Sequence, residues 1–153
     1  MDSPSLTPVE TITDPELKSL ADSAATYLSN QSWCRSIQSS YLGYAVPAVL
    51  GVFLVRIVPA RAGVDDMLWV VVGDLPPAYL VCEGNPTWLE ALEGYVFEME
   101  RWVAAVRSGG PFEDVIPVRV ERTLEHADKL AGRLRFIRDE ILAFEDDTTA
   151  GEA

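Results

Sequence analysis

The chain has 153 residues, of which 48% are hydrophobic and 24% charged, a composition that supports one domain with a sizeable core and differs from that of a disordered polymer. Its 24 acidic residues outnumber 12 basic ones, for a formal net charge of −12, and a field of that sign opposes nucleic acid and anionic membranes while favouring basic partners. The two cysteines, Cys34 and Cys82, come after an opening stretch with no apolar leader segment, so reduced thiols in a cytoplasmic protein are expected.

Residues 1–13 carry no periodic apolar pattern and read as a loose leader. Asp14 followed by Pro15 is a helix start, because Asp accepts from the orphan donors of a first turn and proline at the first helical position sacrifices no bond. Leu17, Leu20, Ala21, Ala24, Ala25 and Leu28 then follow the spacing of one helical face as far as Ser29. Trp33 to Tyr41 is open between a short helix and an irregular segment. Ser36 to Val55 is uncharged, but its serines, Gln38, Gly43, Pro47 and Gly51 argue against a helix exposed to lipid.

From Ala45 the residues become β-like, and Val49, Phe53, Val55, Ile57 and Val58 predict a strand closed by Pro59. A link from Ala60 to Asp66 suits a hairpin. Leu68 to Val72 is five apolar residues in succession, which predicts a central strand covered on both faces. Gly73, Asp74, Leu75, Pro76 and Pro77 end it, since two prolines remove two backbone donors. A short strand from Ala78 to Cys82 completes an antiparallel meander.

Asn85 or Thr87 can cap the next helix, Thr87 and Glu90 having capping-box spacing. Leu89, Leu92, Val96, Met99, Val103 and Val106 form its apolar stripe, Trp88, Tyr95 and Trp102 run along one edge, Phe97 lies on the polar side, and Gly109 with Gly110 supplies the stop. Ile116 to Val120 reads as an edge strand at most, because of Pro117. Thr123 caps a last helix whose buried face combines Leu124, Ala127, Leu130, Ala131, Leu134, Ile137, Ile141 and Phe144; Glu125 with Lys129 and Arg135 with Asp139 are spaced as helical ion pairs. The expected architecture is α+β: an antiparallel meander of three to four strands packed against two long helices, with an additional N-terminal helix, in one domain spanning 14–144 and a disordered acidic tail over 145–153.

Charge is unevenly placed. Between Ala62 and Glu100 stand Asp65, Asp66, Asp74, Glu83, Glu90, Glu93, Glu98 and Glu100 with no Lys or Arg, whereas half of the basic residues lie between Arg119 and Arg138. Such a run is either a solvated face or a docking surface for a basic protein.

No catalytic constellation stands out. His126 is the only histidine, Cys34 and Cys82 are widely spaced, and no glycine loop suited to phosphate is present, so no catalytic residue, metal site or cofactor is assigned. Asp74 is singled out as a carboxylate at a strand end with Tyr79 close behind; an aspartate there also accepts hydrogen bonds from its own turn. The string Leu68, Trp69, Val70, Val71, Val72, Gly73, Asp74, Leu75, Pro76, then Tyr79, resembles a bacterial family of small domains of unknown function, in which an aromatic strand runs into a Gly-Asp-Leu-Pro turn. The resemblance extends upstream to Tyr44 and downstream towards Ile116, departs at Pro77 and Ala78, and implies a fold without an activity.

The functional expectation is a non-catalytic acidic interaction domain, an inhibitor or immunity-type partner of a basic protein, binding neither nucleic acid nor membrane. The residues expected at its surface are Asp65, Asp66, Asp74, Tyr79, Glu83 and Glu90. A small-ligand domain using the turn at Asp74 and Tyr79, and an enzyme of unrecognised type using His126, Asp74 or Cys34, are the alternatives.

Overall fold

The computed structural model describes residues 6–83, 86–113, 115, 116, 118 and 120–143. The chain divides into two compact units, residues 1–92 and 93–153. The first holds a five-stranded antiparallel sheet in the order β1-β2-β3-β4-β5: β1 Thr7–Pro8, β2 Cys34–Val46, β3 Leu50–Pro59, β4 Met67–Gly73 and β5 Ala78–Val81. The α+β class and the antiparallel meander are as expected from the sequence, but the sheet has five strands where three to four were expected.

Two features of the first unit account for that difference. Thr7 and Pro8, inside the stretch read as a loose leader, pair with Leu42 and Tyr41 and are followed by a 3-10 turn over Val9–Thr11. The segment left open between helix and coil is the first half of β2, which pairs with β3 along its length. Register shifts interrupt that pairing between Cys34 and Ser36, between Ile37 and Ser39, and between Leu42 and Tyr44. Each shift reverses which side chains face which side of the sheet, so the alternation that marks a strand in sequence is lost three times. The single strand read from Ala45 to Val58 is broken at Pro47 and Ala48, where Val49 N–H donates to the Val46 carbonyl at 2.9 Å and Ala48 has φ +66°. Proline at the second turn position and a positive φ at the third are what a type II turn requires.

Helix α1, Pro15–Ser29, starts as predicted: the Asp14 carboxylate accepts from Glu16 N–H at 2.8 Å and Leu17 N–H at 3.1 Å. Its buried residues Leu20, Ala21, Ala24 and Leu28 share one apolar cluster with Phe53, Val55 and Ile57 of β3 and Leu68, Val70 and Val72 of β4. These strand residues recur at every second position and pair across the ladder, Phe53 with Val70 and Val55 with Leu68. One face of the sheet is therefore the core that α1 closes. Leu68 to Val72 are all buried, in keeping with a strand covered on both faces. On the other side Trp88 stacks on Tyr44 with ring centroids 4.2 Å apart.

Helix α2, Trp88–Ser108, begins in the first unit with Thr87 as its cap: Thr87 Oγ1 accepts from Glu90 N–H at 3.3 Å, and the Glu90 carboxylate accepts from the Thr87 hydroxyl at 3.0 Å rather than from the backbone N–H that a full capping box uses. Asn85, the other cap considered, lies outside the described residues. At the far end Gly109 N–H bonds the Val106 carbonyl and Gly110 N–H the Ala105 carbonyl, with φ of +86° and +111° at the two glycines. That is the double bond pattern of a Schellman stop.

In the second unit α3, Leu124–Ile137, is capped by Thr123 and runs on through a π-helical turn at Arg138–Leu142. Ala127, Leu130, Leu134, Ile137 and Ile141 are buried as the spacing predicts; Leu124, in the first turn, is exposed instead. Two ion pairs join this helix to α2, Arg138 to Glu100 and Arg107 to Asp128. Ile116, Val118 and Val120 are not in a strand, and Pro117, Arg119, Phe144 and the tail from 145 fall outside the described residues.

Candidate functional site

β2, β3, β4 and β5 alternate in direction, so the start of β4 and the end of β5 share one end of the sheet. Asp65 and Asp66 immediately precede Met67, Glu83 follows Cys82, and the Cys82 thiol reaches the Met67 carbonyl at 3.6 Å. Three of the six residues singled out in the sequence thus gather at one sheet end. Asp66 is held by Arg56 at 3.2 Å across the hairpin. Asp65 and Glu83 have no ion-pair partner among the described residues.

The same end carries an aromatic and apolar surface. Trp33 directly precedes β2 and is tied to the end of β3 by Ala60 N–H donating to its carbonyl at 2.8 Å. Tyr79 of β5 pairs with Val70, and its ring meets that of Trp33 with centroids 4.9 Å apart and planes inclined at 59°. Tyr79 and Val81 are each 39% exposed. Together with Arg61, Gly63, Val64, Asp65 and Leu68 they line a cleft of about 260 Å3.

Negative charge at this end is felt by its neighbours. Burial, with the carboxylates of Asp65 and Asp66 adding to it, raises the Cys82 thiol above its ordinary value. Cys34 is raised by burial alone and reaches the Ser36 carbonyl at 3.7 Å. Neither thiol is bonded to another sulfur. Raised values keep both as thiols at neutral pH, the opposite of what a nucleophile needs.

The structure does not bring Asp74 and Tyr79 together. Gly73 pairs with Leu50, whereas Tyr79 pairs with Val70, three residues or about 10 Å along the strand. Asp74 donates its backbone N–H to the Val49 carbonyl at 2.8 Å and lies at the opposite end of the sheet, in a cleft of about 430 Å3 with Glu16, Ser19 and Ser23 of α1. Tyr79 looks into the Trp33 cleft. Glu90 is engaged by the Thr87 hydroxyl at the start of α2.

No family model, curated protein or solved structure matches the chain. The site must therefore be read from its own geometry.

His126 sits in the first turn of α3, its Nδ1 2.7 Å from the Thr123 hydroxyl that caps the helix. That bond makes it part of the cap. Among the described residues no three of His, Cys, Asp and Glu are grouped so as to hold a metal ion. Among them too, no helix is long and apolar enough to cross a membrane, and the uncharged stretch Ser36 to Val55 forms β2 and β3.

One feature of the second unit escaped the sequence. Glu100, Val103 and Arg107 of α2 and Leu134, Arg135 and Arg138 of the last helix line a groove of about 570 Å3. Arg138 clasps Glu100 through two bonds of 2.7 Å, and this pairing holds the Glu100 carboxyl below its usual range. Sequence spacing points Arg135 at Asp139 on its own helix, so nothing local announced a contact between residues 38 apart.

Proposed function

We propose that this protein is a non-catalytic acidic interaction protein that docks a basic protein partner. The surface concerned is the sheet end bearing Asp65, Asp66 and Glu83. The observation that carries the reading is a half-exposed patch of Trp33, Tyr79 and Val81 in a cleft that Asp65 also lines, at the sheet end where Asp66, neutralised by Arg56, and Glu83 also stand. Apolar and aromatic side chains supply the anchor of an interface, and like charges at its rim select the partner and speed encounter. A cytoplasmic setting, in which Cys34 and Cys82 stay reduced, belongs to the same proposal, as does kinship with bacterial small domains that carry a Gly-Asp-Leu-Pro turn.

The test is a partner captured on the tagged protein at low and raised salt, followed by stopped-flow association with wild type and with Asp65→Lys, Asp66→Lys and Glu83→Lys combined. The combined reversal should slow association about tenfold or more at low salt, and the difference should close as salt screens it. Association indifferent to both the substitutions and salt would sink the reading.

A second reading rests on the cleft at Asp74, whose size of about 430 Å3 suits a small ligand and whose wall carries Glu16, Ser19 and Ser23. Asp74→Leu abolishing the binding of a small molecule identified by thermal-shift screening would favour it over the acidic surface.

A further inference from the structure

We propose that the free edge of β5 holds a partner by strand addition: an extended segment of the docked protein pairs with β5 through the backbone of Tyr79. This rests on the reading of that sheet end as a docking surface, and it names the form the partner takes there.

β5 is the last strand in the sheet order, so one of its sides has no neighbouring strand. Which backbone groups face that side follows from bonds at the two ends of β4. Ile57 N–H donates to the Asp66 carbonyl and Asp74 N–H to the Val49 carbonyl, each at 2.8 Å. Pairing between β3 and β4 is regular from one bond to the other, so Leu68, Val70 and Val72 turn their backbone groups to β3 while Trp69 and Val71 turn theirs to β5. Trp69 pairs with Leu80 and Val71 with Ala78, which uses the groups of Leu80 and Ala78. Tyr79, between them, therefore points its N–H and C=O away from the sheet, and among the described residues neither group has a partner. A donor and an acceptor set side by side on one edge residue are met together by the acceptor and donor of a residue in an antiparallel strand.

The two edges of the sheet are unlike. At the other one β2 slips register three times, and β1 beside it ends in Pro8, which has no N–H; bulges and proline are what keep an edge from pairing. β5 has neither, since Ala78, Tyr79, Leu80 and Val81 pair with β4 without a shift and include no charge or proline. Its apolar side chains are open as well, Tyr79 and Val81 each being 39% exposed. Both lie on the face that α1 closes, because they pair with Val70 and Leu68. The contact with Trp33 holds the Tyr79 ring in place, and a β-branched side chain opposite Tyr79 packs beside that ring. The length of β5, four residues, and the prolines before it at Pro76 and Pro77 limit the guest to about four paired residues. A second copy of the chain is the poorer occupant, because two molecules of net charge −12 repel each other whereas a basic protein is attracted.

The test uses the full chain, labelled with 15N, and follows the backbone amide signal of Tyr79. The probes are the blocked peptide acetyl-Lys-Val-Thr-Val-Thr-Lys-amide and two N-methylated forms of it. In one form both threonines are methylated, which leaves one edge of the strand whole; in the other the second valine and the threonine after it are methylated, which spoils both edges. Charge is the same in all three, so it cannot account for a difference. The unmodified and the threonine-methylated peptides should shift the Tyr79 signal in a saturable way, and the form with both edges spoiled should bind about tenfold or more weakly. Tyr79→Pro and Tyr79→Ala both remove the ring, but only proline removes the outward N–H, and an edge position tolerates it. Tyr79→Pro should therefore bind the unmodified peptide about fivefold or more weakly than Tyr79→Ala. No saturable shift at Tyr79, or equal binding of the two methylated peptides, overturns the proposal. A dimer in sedimentation velocity that Tyr79→Pro dissolves overturns it too, in favour of a second copy. If the charge reversals slow the protein partner while Tyr79→Pro leaves its affinity equal to that of Tyr79→Ala, the strand edge falls and the acidic surface stands. If the peptides behave as expected but the partner ignores the charge reversals, the edge stands and the acidic reading falls.

Discussion

Gly73 is where the structure is least able to accept a side chain. Its φ is +145°, and a Cβ built on it would lie 2.2 Å from the Val49 carbonyl oxygen, 2.6 Å from Leu50 Cα and 2.9 Å from Val49 C. All three atoms are backbone, so no rotamer change relieves the overlap. The carbonyl it would strike is the one that accepts from Asp74 N–H at 2.8 Å. Gly73→Ala must therefore lose or distort that bond, at about 1 kcal/mol, and hold a non-glycine residue at an unfavourable φ, at about 1–3 kcal/mol. With the displacement of the hairpin added, the expected loss of stability is about 3–5 kcal/mol. Gly63→Ala is the control, because Gly63 has φ +88° but meets nothing within 4 Å, and about 1–2 kcal/mol covers its backbone cost. Urea unfolding of both variants, followed by far-ultraviolet circular dichroism and by tryptophan fluorescence, separates the two effects. The reasoning is refuted if Gly73→Ala costs no more than Gly63→Ala, for then the close approach of β4 to the β2–β3 turn is not what demands a glycine.

The neighbouring turn predicts a gain. Ala48→Gly should stabilise the protein by about 1 kcal/mol in the same unfolding assay, since Ala48 holds φ +66° at a position where glycine bears no Cβ penalty. The Glu100 carboxyl is held below its usual 4.5 by its bond to Arg138, so the stabilisation is present at neutral pH and disappears as the pH falls through the lowered value. Because both side chains are nearly half exposed, Glu100→Gln should cost under about 1 kcal/mol at pH 7, and its stability curve should converge on that of wild type as the pH falls below the lowered value. Asp65→Asn with Asp66→Asn should lower the Cys82 value and speed its alkylation by iodoacetamide at pH 8, read by peptide mass spectrometry, while Cys34, raised by burial alone, should be unaffected.

Much of the fold was legible where its signals are local. The Asp14 cap with Pro15, the Thr87 cap, the Thr123 cap and the stop at Gly109 and Gly110 all form where their spacing placed them. Each satisfies backbone groups within a turn of itself, so no distant residue can overrule it. The apolar run Leu68 to Val72 was equally plain, because burial on both faces leaves no polar position to confuse the pattern. β2 was not legible, since three register shifts erase its alternation, and β1 was not, since two residues carry no periodicity.

The candidate site divides along the same line. Asp65, Asp66 and Glu83 could be selected from the sequence because a run of acids without a base needs no structure to be seen. Trp33 could not, for it belongs to no pattern of its own and meets Tyr79 only because β2 and β5 present their ends to the same side of the sheet. Conversely, Asp74 and Tyr79 are near in sequence and are set in different clefts by the extension of β5. Composition and local spacing by themselves determined the class, the charge and the ends of the helices, all of which depend on neighbours within a few residues. Which strands pair, where their register slips and which ring faces which carboxylate depend on contacts between residues far apart along the chain, and those only the tertiary structure decided.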